Sequence, residues 1–428
     1  MRRPIVILPS YYAERIAASA KSYGTLDVRA DEPGGVYVVD GFGQGQDHGG
    51  IHGGSRWVES HYLAYAQRER RAVWYNAEPE LHAVGYDIAR RGAAIALSDF
   101  RSCLHDGWIG LSRDGHALAL TYVDLEEGER DWCAWILSEE QQSAEITAMQ
   151  YVDEGVPLLA PLARHWPLKE LAEVKVVVVG AGSIGSHSID ALASYGIRRM
   201  TLVDPDRLLM HNFGRHRSNP DQLGRFKVDA ERDRLYRRDP GIQVDALPLD
   251  VVYDADVMRP LFESVDAILC AADGIDPRRT VNHLARRAGT AAIFACVLEN
   301  GAFGEVLRVA SPRAGCLLCA RAHLQAKGGI APERTLDRGY GTGSTHLPMT
   351  AVGGDLGLVG YLAAKVVVAT LLDRRGFREQ RLPGDHAILA LRSMPGMAWP
   401  FDLDAAGELV WHDLPGPRDD CPSCGSPR

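Results

Sequence analysis

The chain is poor in the residues that build several protein classes. Eight cysteines in 428 residues are too few for a disulfide scaffold, so paired cysteines point to metal or catalysis. No stretch approaches 18 uninterrupted apolar residues, which argues against a membrane-spanning helix. The opening MRRPIVILPSYYAER holds only a five-residue apolar run, too short for a secretory h-region. A cytoplasmic protein without a membrane partner is expected. Basic residues are also in the minority, 47 Lys and Arg against 56 Asp and Glu for a formal net charge of −9. Nucleic-acid binding, which needs a basic face to displace counterions, is not expected. What is present is 46% hydrophobic residues, enough for two or three domains at roughly 150 residues each.

Residues 34–54 contain nine glycines and read as a loop or connector. Residues 59–91 look helical and charged. GWIGLS, HALALTYVDL and DWCAWILS, separated by RDG and EEGER, read as a β-meander over 107–138. VPLLAPLARHWP, with three prolines, marks a boundary near 161–167. Beyond it, EVKVVVVG is the uninterrupted β-branched run of a strand buried on both faces. RRMTLVD, GIQVDALPLDV, DAILCAAD and AAIFACVLEN follow at helix-length intervals. The expected organisation is a mixed α+β domain over 1–165 and an α/β domain with a mostly parallel sheet over 166–428.

VVVVGAGSIGSHSIDALASYG sets Gly180, Gly182 and Gly185 between a strand and a helix. The first glycine permits the tight turn, the second backbone approach to phosphate, and the third close packing of helix on strand. The helix N-terminus offers N–H groups to an anion. Asp204, 24 residues after Gly180 at the next strand end, can accept from ribose hydroxyls. The loop alone does not separate NAD from ATP. The polar residues downstream do: Asp204-Pro-Asp206, then Asn212, Arg215 and His216 in HNFGRH, Lys227 in LGRFKVDAERDRL, and Asp273 at the end of DAILCAAD. Two cations and a strand-end carboxylate beside a nucleotide loop suit triphosphate chemistry with Mg²⁺. Arg278 and Asn282 follow on the next helix and divide evenly between a structural and a site role.

In these residues the sequence resembles the ThiF/MoeB/HesA family, the adenylating domain of ubiquitin-activating enzymes. The family pattern of GxGxxG, D-x-D, N-x-x-R, a lysine, and an Asp followed by R-x-x-x-N is matched in order, over roughly 160–428. The resemblance implies that Asp204 binds ribose and that Asp206 belongs to the same nucleotide site. It further implies that Asn212, Arg215 and Lys227 contact ATP phosphates and that Asp273 holds Mg²⁺. The implied reaction is adenylation of the C-terminal carboxylate of a ubiquitin-like protein, giving an acyl adenylate and pyrophosphate. A homodimer and a downstream conjugating enzyme are implied partners. The sequence departs from the pattern in two places: His216 where many members carry Gln, as in bacterial ubiquitin-like conjugation operons, and Gly274 where Asn usually follows the strand-end Asp. Other readings are adenylation of a short peptide's C-terminus, a silent nucleotide- or ubiquitin-like-protein-binding scaffold, and an NAD-dependent dehydrogenase. Arg164 is a further candidate phosphate contact.

Cys316-x-x-Cys319 and Cys421-x-x-Cys424 match a tetrahedral Zn²⁺ site that leaves no position open for catalysis. Many members of the family place an acceptor cysteine between two such knuckles. Here residues 320–420 hold none, and the corresponding position falls near Ser344, Thr345 and His346. Ser344 or Thr345 would take the acyl group as an oxyester with His346 as base, or the segment only shields the adenylate. Cys103 or Cys133 is a third option, since Cys270 and Cys296 fall in buried strands. In the first domain His48, His52 and His61 could be read as metal ligands, but two of them sit among glycines. Trp57, Trp74, Trp108, Trp132 and Trp135 read as core or as a recognition surface.

Overall fold

In the computed structural model the described residues are 4–31, 35–43, 68–91, 93–109, 116–125, 129–153, 158–311, 313–330 and 351–424. They form two compact units, Met1–Pro157 and Leu158–Arg428. The change of unit lies upstream of the 165/166 boundary expected from composition. The proline-rich segment is tied to the second unit, where Trp166 Nε1 donates to the Tyr195 carbonyl at 2.8 Å and the two rings lie 5.7 Å apart.

The first unit runs β1 (Ile5–Pro9), α1 (Ser10–Ala17), β2 (Tyr23–Asp31), β3 (Val36–Gly43), β4 (Arg68–Asn76), α2 (Pro79–Arg91), β5 (Ile95–Ala96), α3 (Leu97–Ser102), β6 (His116–Asp124), β7 (Arg130–Ser138) and β8 (Ser143–Val152). The sheet order is β1-β3-β2-β4-β6-β7-β8, and β1 pairs again with β8, so the ring closes; β5 adds to β8. Closure leaves no long free edge for another chain to pair with. Alternate side chains face opposite ways. Leu26, Val28, Ala72, Trp74, Leu118 and Leu120 pack with Tyr12, Ala13 and Ile16 of α1. On the other face, Val73, Tyr75, Ala119, Cys133 and Trp135 pack with Leu81 of α2 and Phe100 of α3.

Three sequence expectations fail here. Residues 68–76, read as helical, are β4, because alanine 72 through tyrosine 75 are buried on both faces and charge at the strand's start hid that pattern. Residues 36–43, read as loop, are β3. Residues 107–109, read as the start of a strand, are irregular: Gly107 has φ +60° and Trp108 stacks on Tyr75 at 5.7 Å.

The second unit runs α4 (Leu168–Glu173), β9 (Lys175–Val179), α5 (Ser183–Tyr195), β10 (Arg199–Val203), α6 (Lys227–Arg238), β11 (Gln243–Leu247), α7 (Ala255–Glu263), β12 (Ala267–Cys270), α8 (Ile275–Ala288), β13 (Ala291–Leu298), β14 (Phe303–Val309), α9 (Leu317–Ala326), α10 (Gly353–Arg374), β15 (His386–Ala390) and β16 (Leu409–His412). The strands lie in the order β11-β10-β9-β12-β13-β14-β15-β16. Pairing is parallel from β11 to β13 and antiparallel from there to β16. The expected mostly parallel sheet is therefore a mixed one, and its antiparallel half was not foreseen. The valine run does what its composition demands: Val176 and Val178 enter the core on one face, Val177 and Val179 the core on the other. Burial of each is worth about 1.5–3 kcal/mol.

Helix α10 has a mean hydropathy of 1.7 and is long and apolar enough to cross a membrane, but 72% of that stretch is buried inside the protein. Lys365 interrupts its apolar run, so no unbroken stretch of 18 apolar residues marks it in the sequence. It packs against α5, β13 and β14, and Ser188 of α5 donates to the Gly360 carbonyl at 2.9 Å.

Candidate functional site

The chain proceeds from β9 outward to β10 and β11, then returns to β12 on the other side of β9. This reversal opens a crevice at the carboxyl ends of β9 and β12, the place where open α/β sheets bind ligands. The glycine loop lies there. Gly180 has φ +91°, and a Cβ on it would stand 2.6 Å from the Ala272 nitrogen; a Cβ on Gly185 would stand 1.9 Å from the Gly180 oxygen. Neither position has room for a side chain. Around Gly182, at the start of α5, no atom lies within 4 Å of an added Cβ, so that side of the loop is open.

Asp204 follows β10 and is buried. Its Oδ2 accepts from the Ala181 N–H at 2.7 Å and its Oδ1 from the Asp206 N–H at 2.9 Å. Burial raises its pKa against the pull of Lys227. Lys227 opens α6, with Nζ 2.7 Å from Asp206 Oδ2 and 3.9 Å from Asp204 Oδ1. Burial opposes the charged amine, but Asp204, Asp206 and Asp273 outweigh it and raise its pKa. Asn212 is buried and its Oδ1 accepts from the Leu209 N–H at 2.8 Å, while its carbonyl accepts from the N–H groups of Arg215 and His216 at 2.9 Å. It thereby sets the turn that presents both residues.

The buried Nε of Arg215 and Nδ1 of His216 have no hydrogen-bond partner among the described residues. A buried donor without a partner costs about 1–3 kcal/mol, so its persistence marks a place where a ligand would complete the bonding. Burial, then Lys227, Arg215, His187 and His211, bring the His216 pKa down to about 3. His216 is thus neutral near pH 7, and its replacement of the more usual Gln adds no charge.

Asp273 is exposed beyond β12 and forms no hydrogen bond or ion pair with a described residue. Gly274 after it has φ +89°, a conformation glycine adopts without strain. Arg278 Nε donates to the Ala272 carbonyl at 3.1 Å, bracing the turn that carries Asp273. Asn282 Oδ1 accepts from the Leu317 N–H at 3.0 Å and so caps α9, while its buried Nδ2 has no partner among the described residues.

At the start of α9, the Sγ atoms of Cys316, Cys319, Cys421 and Cys424 all lie within 4.8 Å of one another. Cys316 is 3.5 Å from Cys421, and Cys319 is 3.4 Å from Cys424. Four thiolates at about 2.3 Å from a tetrahedral Zn²⁺ would be about 3.8 Å apart, so the donor set fits that ion. Burial resists ionisation of Cys421, but the N–H groups of Ser423 and Cys424 prevail and bring it down to about 7. Arg418 N–H also donates to Cys319 Sγ at 3.4 Å, and Gly315 N–H to the Pro415 carbonyl at 2.7 Å.

One charged cluster escaped sequence reasoning. Glu305 on β14 is held by both guanidinium nitrogens of Arg321, one at 2.8 Å, and by His386 Nε2 at 2.8 Å, while the Cys296 thiol donates to it at 3.3 Å. The only sequence signal is a single acid within FGEVLRV. Ser344, Thr345 and His346 lie outside the described residues, as do His48, His52, His61 and Trp57. Among the other thiols, burial pushes Cys133 up to about 12 and Cys270 up to about 11, and neither is poised as a nucleophile. Trp74 and Trp135 are core residues.

A glycine loop at the switch point of a doubly wound sheet, with a buried acid and an arginine Nε that has no partner among the described residues, defines a nucleotide-binding α/β protein. Residues 157–387, more than half of the chain, match the ThiF family, and the chain belongs to that family. It is 28% identical over 191 residues to ubiquitin-like modifier-activating enzyme 5 of Caenorhabditis elegans, covering 42% of this chain and 45% of the relative. It is 26% identical over 229 residues to the enzyme of the same name from Bombyx mori, covering 49% and 56%. The chain thus spans about half the length of the curated relatives it matches. Among solved structures it is similar to Escherichia coli MccB with ATP, at 18% identity and a TM-score of 0.45, covering 60% of this chain and 68% of that one.

Proposed function

We propose that this chain adenylates the C-terminal carboxylate of a ubiquitin-like protein at the expense of ATP. The observation that carries the reading is the buried Arg215 Nε, without a partner among the described residues, which with Lys227 acts on His216, beside an open glycine loop. An arginine with a free buried N–H and a charged lysine at a phosphate-accepting loop suit triphosphate chemistry better than hydride transfer. The relatives named as ubiquitin-like modifier-activating enzymes support the substrate class.

In this scheme the Gly180/Gly182/Gly185 loop and the α5 N-terminus receive phosphate. Asp204, already fixed by two backbone N–H groups, accepts from ribose. Asn212 sets the turn bearing Arg215. A carboxylate oxygen of the substrate bonds to the α-phosphorus as the bond to the bridging oxygen breaks, and pyrophosphate leaves with the electron pair. Arg215 and Lys227 stabilise the charge developing on the phosphates. Asp206, which holds the lysine amine at 2.7 Å, keeps it charged and placed. Asp273 would hold Mg²⁺, which would neutralise phosphate charge. Cys316, Cys319, Cys421 and Cys424 would hold Zn²⁺ as a clamp joining the chain around Cys421 to α9. The working form is taken as a homodimer, with residues 1–165 recognising the substrate or a downstream conjugating enzyme; sedimentation velocity checks the dimer.

The test is ATP–pyrophosphate exchange with a small Gly-ending protein, for wild type, Arg215→Ala and Asp273→Ala. Exchange that depends on the substrate and is lost in both variants is expected. Binding of NAD without exchange would overturn the reading. Intact mass then follows the acyl group. A gain that disappears in Ser344→Ala places it as an oxyester on that residue, and exchange without mass gain means the adenylate passes directly to its acceptor.

A further inference from the structure

The first unit holds a side-chain cluster that the nucleotide chemistry does not use. His82 and Tyr86 stand one turn apart on α2, over β7, where Asp131 and Cys133, two residues apart, share a face. Ligand atoms of His82, Asp131 and Cys133 all lie within 4.8 Å of one another. His82 Nδ1 is 2.8 Å from Asp131 Oδ2, and the Tyr86 hydroxyl is 3.2 Å from Asp131 Oδ1. The other ring nitrogen, Nε2, is 2.7 Å from Thr121 Oγ1, which itself accepts the Trp135 Nε1–H at 2.8 Å. His82, Thr121, Cys133 and Trp135 are buried, while Asp131 and Tyr86 are partly exposed, so the cluster is closed underneath and reachable from solvent on one side.

We propose that His82, Asp131 and Cys133 form a second metal site, for a divalent cation of the Zn²⁺ class, with a water beside the Tyr86 hydroxyl in the fourth position. One imidazole nitrogen, one carboxylate and one thiolate are donors that Zn²⁺ takes together. Metal-bound histidines generally have their second ring nitrogen held by an outer partner that fixes the tautomer. Thr121, itself oriented by Trp135, is that partner, and it leaves Nδ1 facing the carboxylate and the thiol. The ion would displace the Cys133 thiol proton, so uptake releases one proton to solvent. Unlike the four-thiolate cluster, the site keeps an open position and can bind a small anion or a substrate donor. The same atoms also close on themselves without metal, as a chain of donation from Trp135 to Thr121, His82 and Asp131, which is the competing arrangement.

Metal content of the full chain, purified with Zn²⁺ and dialysed, distinguishes the two. Wild type is expected to retain about two Zn²⁺, Cys421→Ser about one, and Cys133→Ser or Asp131→Asn about one. Asp131→Asn is the safeguard, since its side chain is partly exposed and tolerates change better than the buried thiol. X-ray absorption on wild type gives an answer without any variant. A zinc shell containing nitrogen and oxygen beside sulfur supports the site. Zinc with sulfur neighbours only, or none bound, overturns it and leaves the hydrogen-bonded chain as the function of these residues.

Discussion

Two charged clusters in the second unit are built from similar residues and do opposite things. Around Glu305 each charge has its counterpart: Arg321 and His386 surround the carboxylate, and the cluster is sealed between β14, β15 and α9. Burial would raise the Glu305 pKa, but Arg321 and His386 outweigh it and hold the carboxyl well below the usual range. Around the glycine loop polar atoms are left over. Asp204 and Lys227 are close, yet the Arg215 Nε and the His216 Nδ1 are buried without partners among the described residues, and Asp273 is exposed. Charge balanced within the fold serves the fold. A buried polar atom left without a partner in a crevice invites a ligand that would satisfy it, because it is otherwise a net loss.

The contrast makes predictions that separate stability from function. Arg321→Met leaves the buried Glu305 with His386 as its one remaining cationic partner among the described residues and is expected to cost about 3–5 kcal/mol in urea unfolding, with pyrophosphate exchange per folded molecule unchanged. A loss of exchange without loss of stability would merge the two clusters into one site. Arg215→Ala should do the reverse: exchange falls about 100- to 1000-fold, while the melting temperature stays within a few degrees because no described partner is lost. His216→Gln sharpens the comparison through pH. The native imidazole titrates near 3 and the unfolded one near its ordinary 6.5. Its contribution to stability is thus present above pH 6.5 and is lost as pH falls toward 3, by up to about 1.4 kcal/mol per unit. The Gln variant should lose less stability over that window, and an unchanged acid limb would count against a neutral buried imidazole. Asn282→Ala, which removes only the α9 cap, should cost about 1 kcal/mol and leave exchange as it was.

Legibility varied along the chain for identifiable reasons. The nucleotide loop and its downstream acids and cations could be read because each lies at a strand or helix end in fixed order, and local spacing places them. The four cysteines were legible as a pair of knuckles. Asn282 was not: the same R-x-x-x-N spacing serves a ligand or a cap, and only the position of the Leu317 N–H decides. Glu305, Arg321 and His386 come from three separate elements with nothing local to link them. In the first unit β3 and β4 hid behind glycines and charges, since strand propensity is weak where burial against neighbours supplies the stabilisation.

The sequence by itself determined the parallel half of the sheet, the glycine turn between β9 and α5 and the thiol pairs, because these depend on periodicity and short-range spacing. Tertiary structure decided the rest. It closed the first sheet into a ring, turned the second antiparallel after β13, buried α10 against α5, and left the Arg215 Nε and His216 Nδ1 without a partner among the described residues. Each of these depends on which distant groups meet. Whether a polar atom is satisfied is settled by the partners that folding brings within about 3 Å of it.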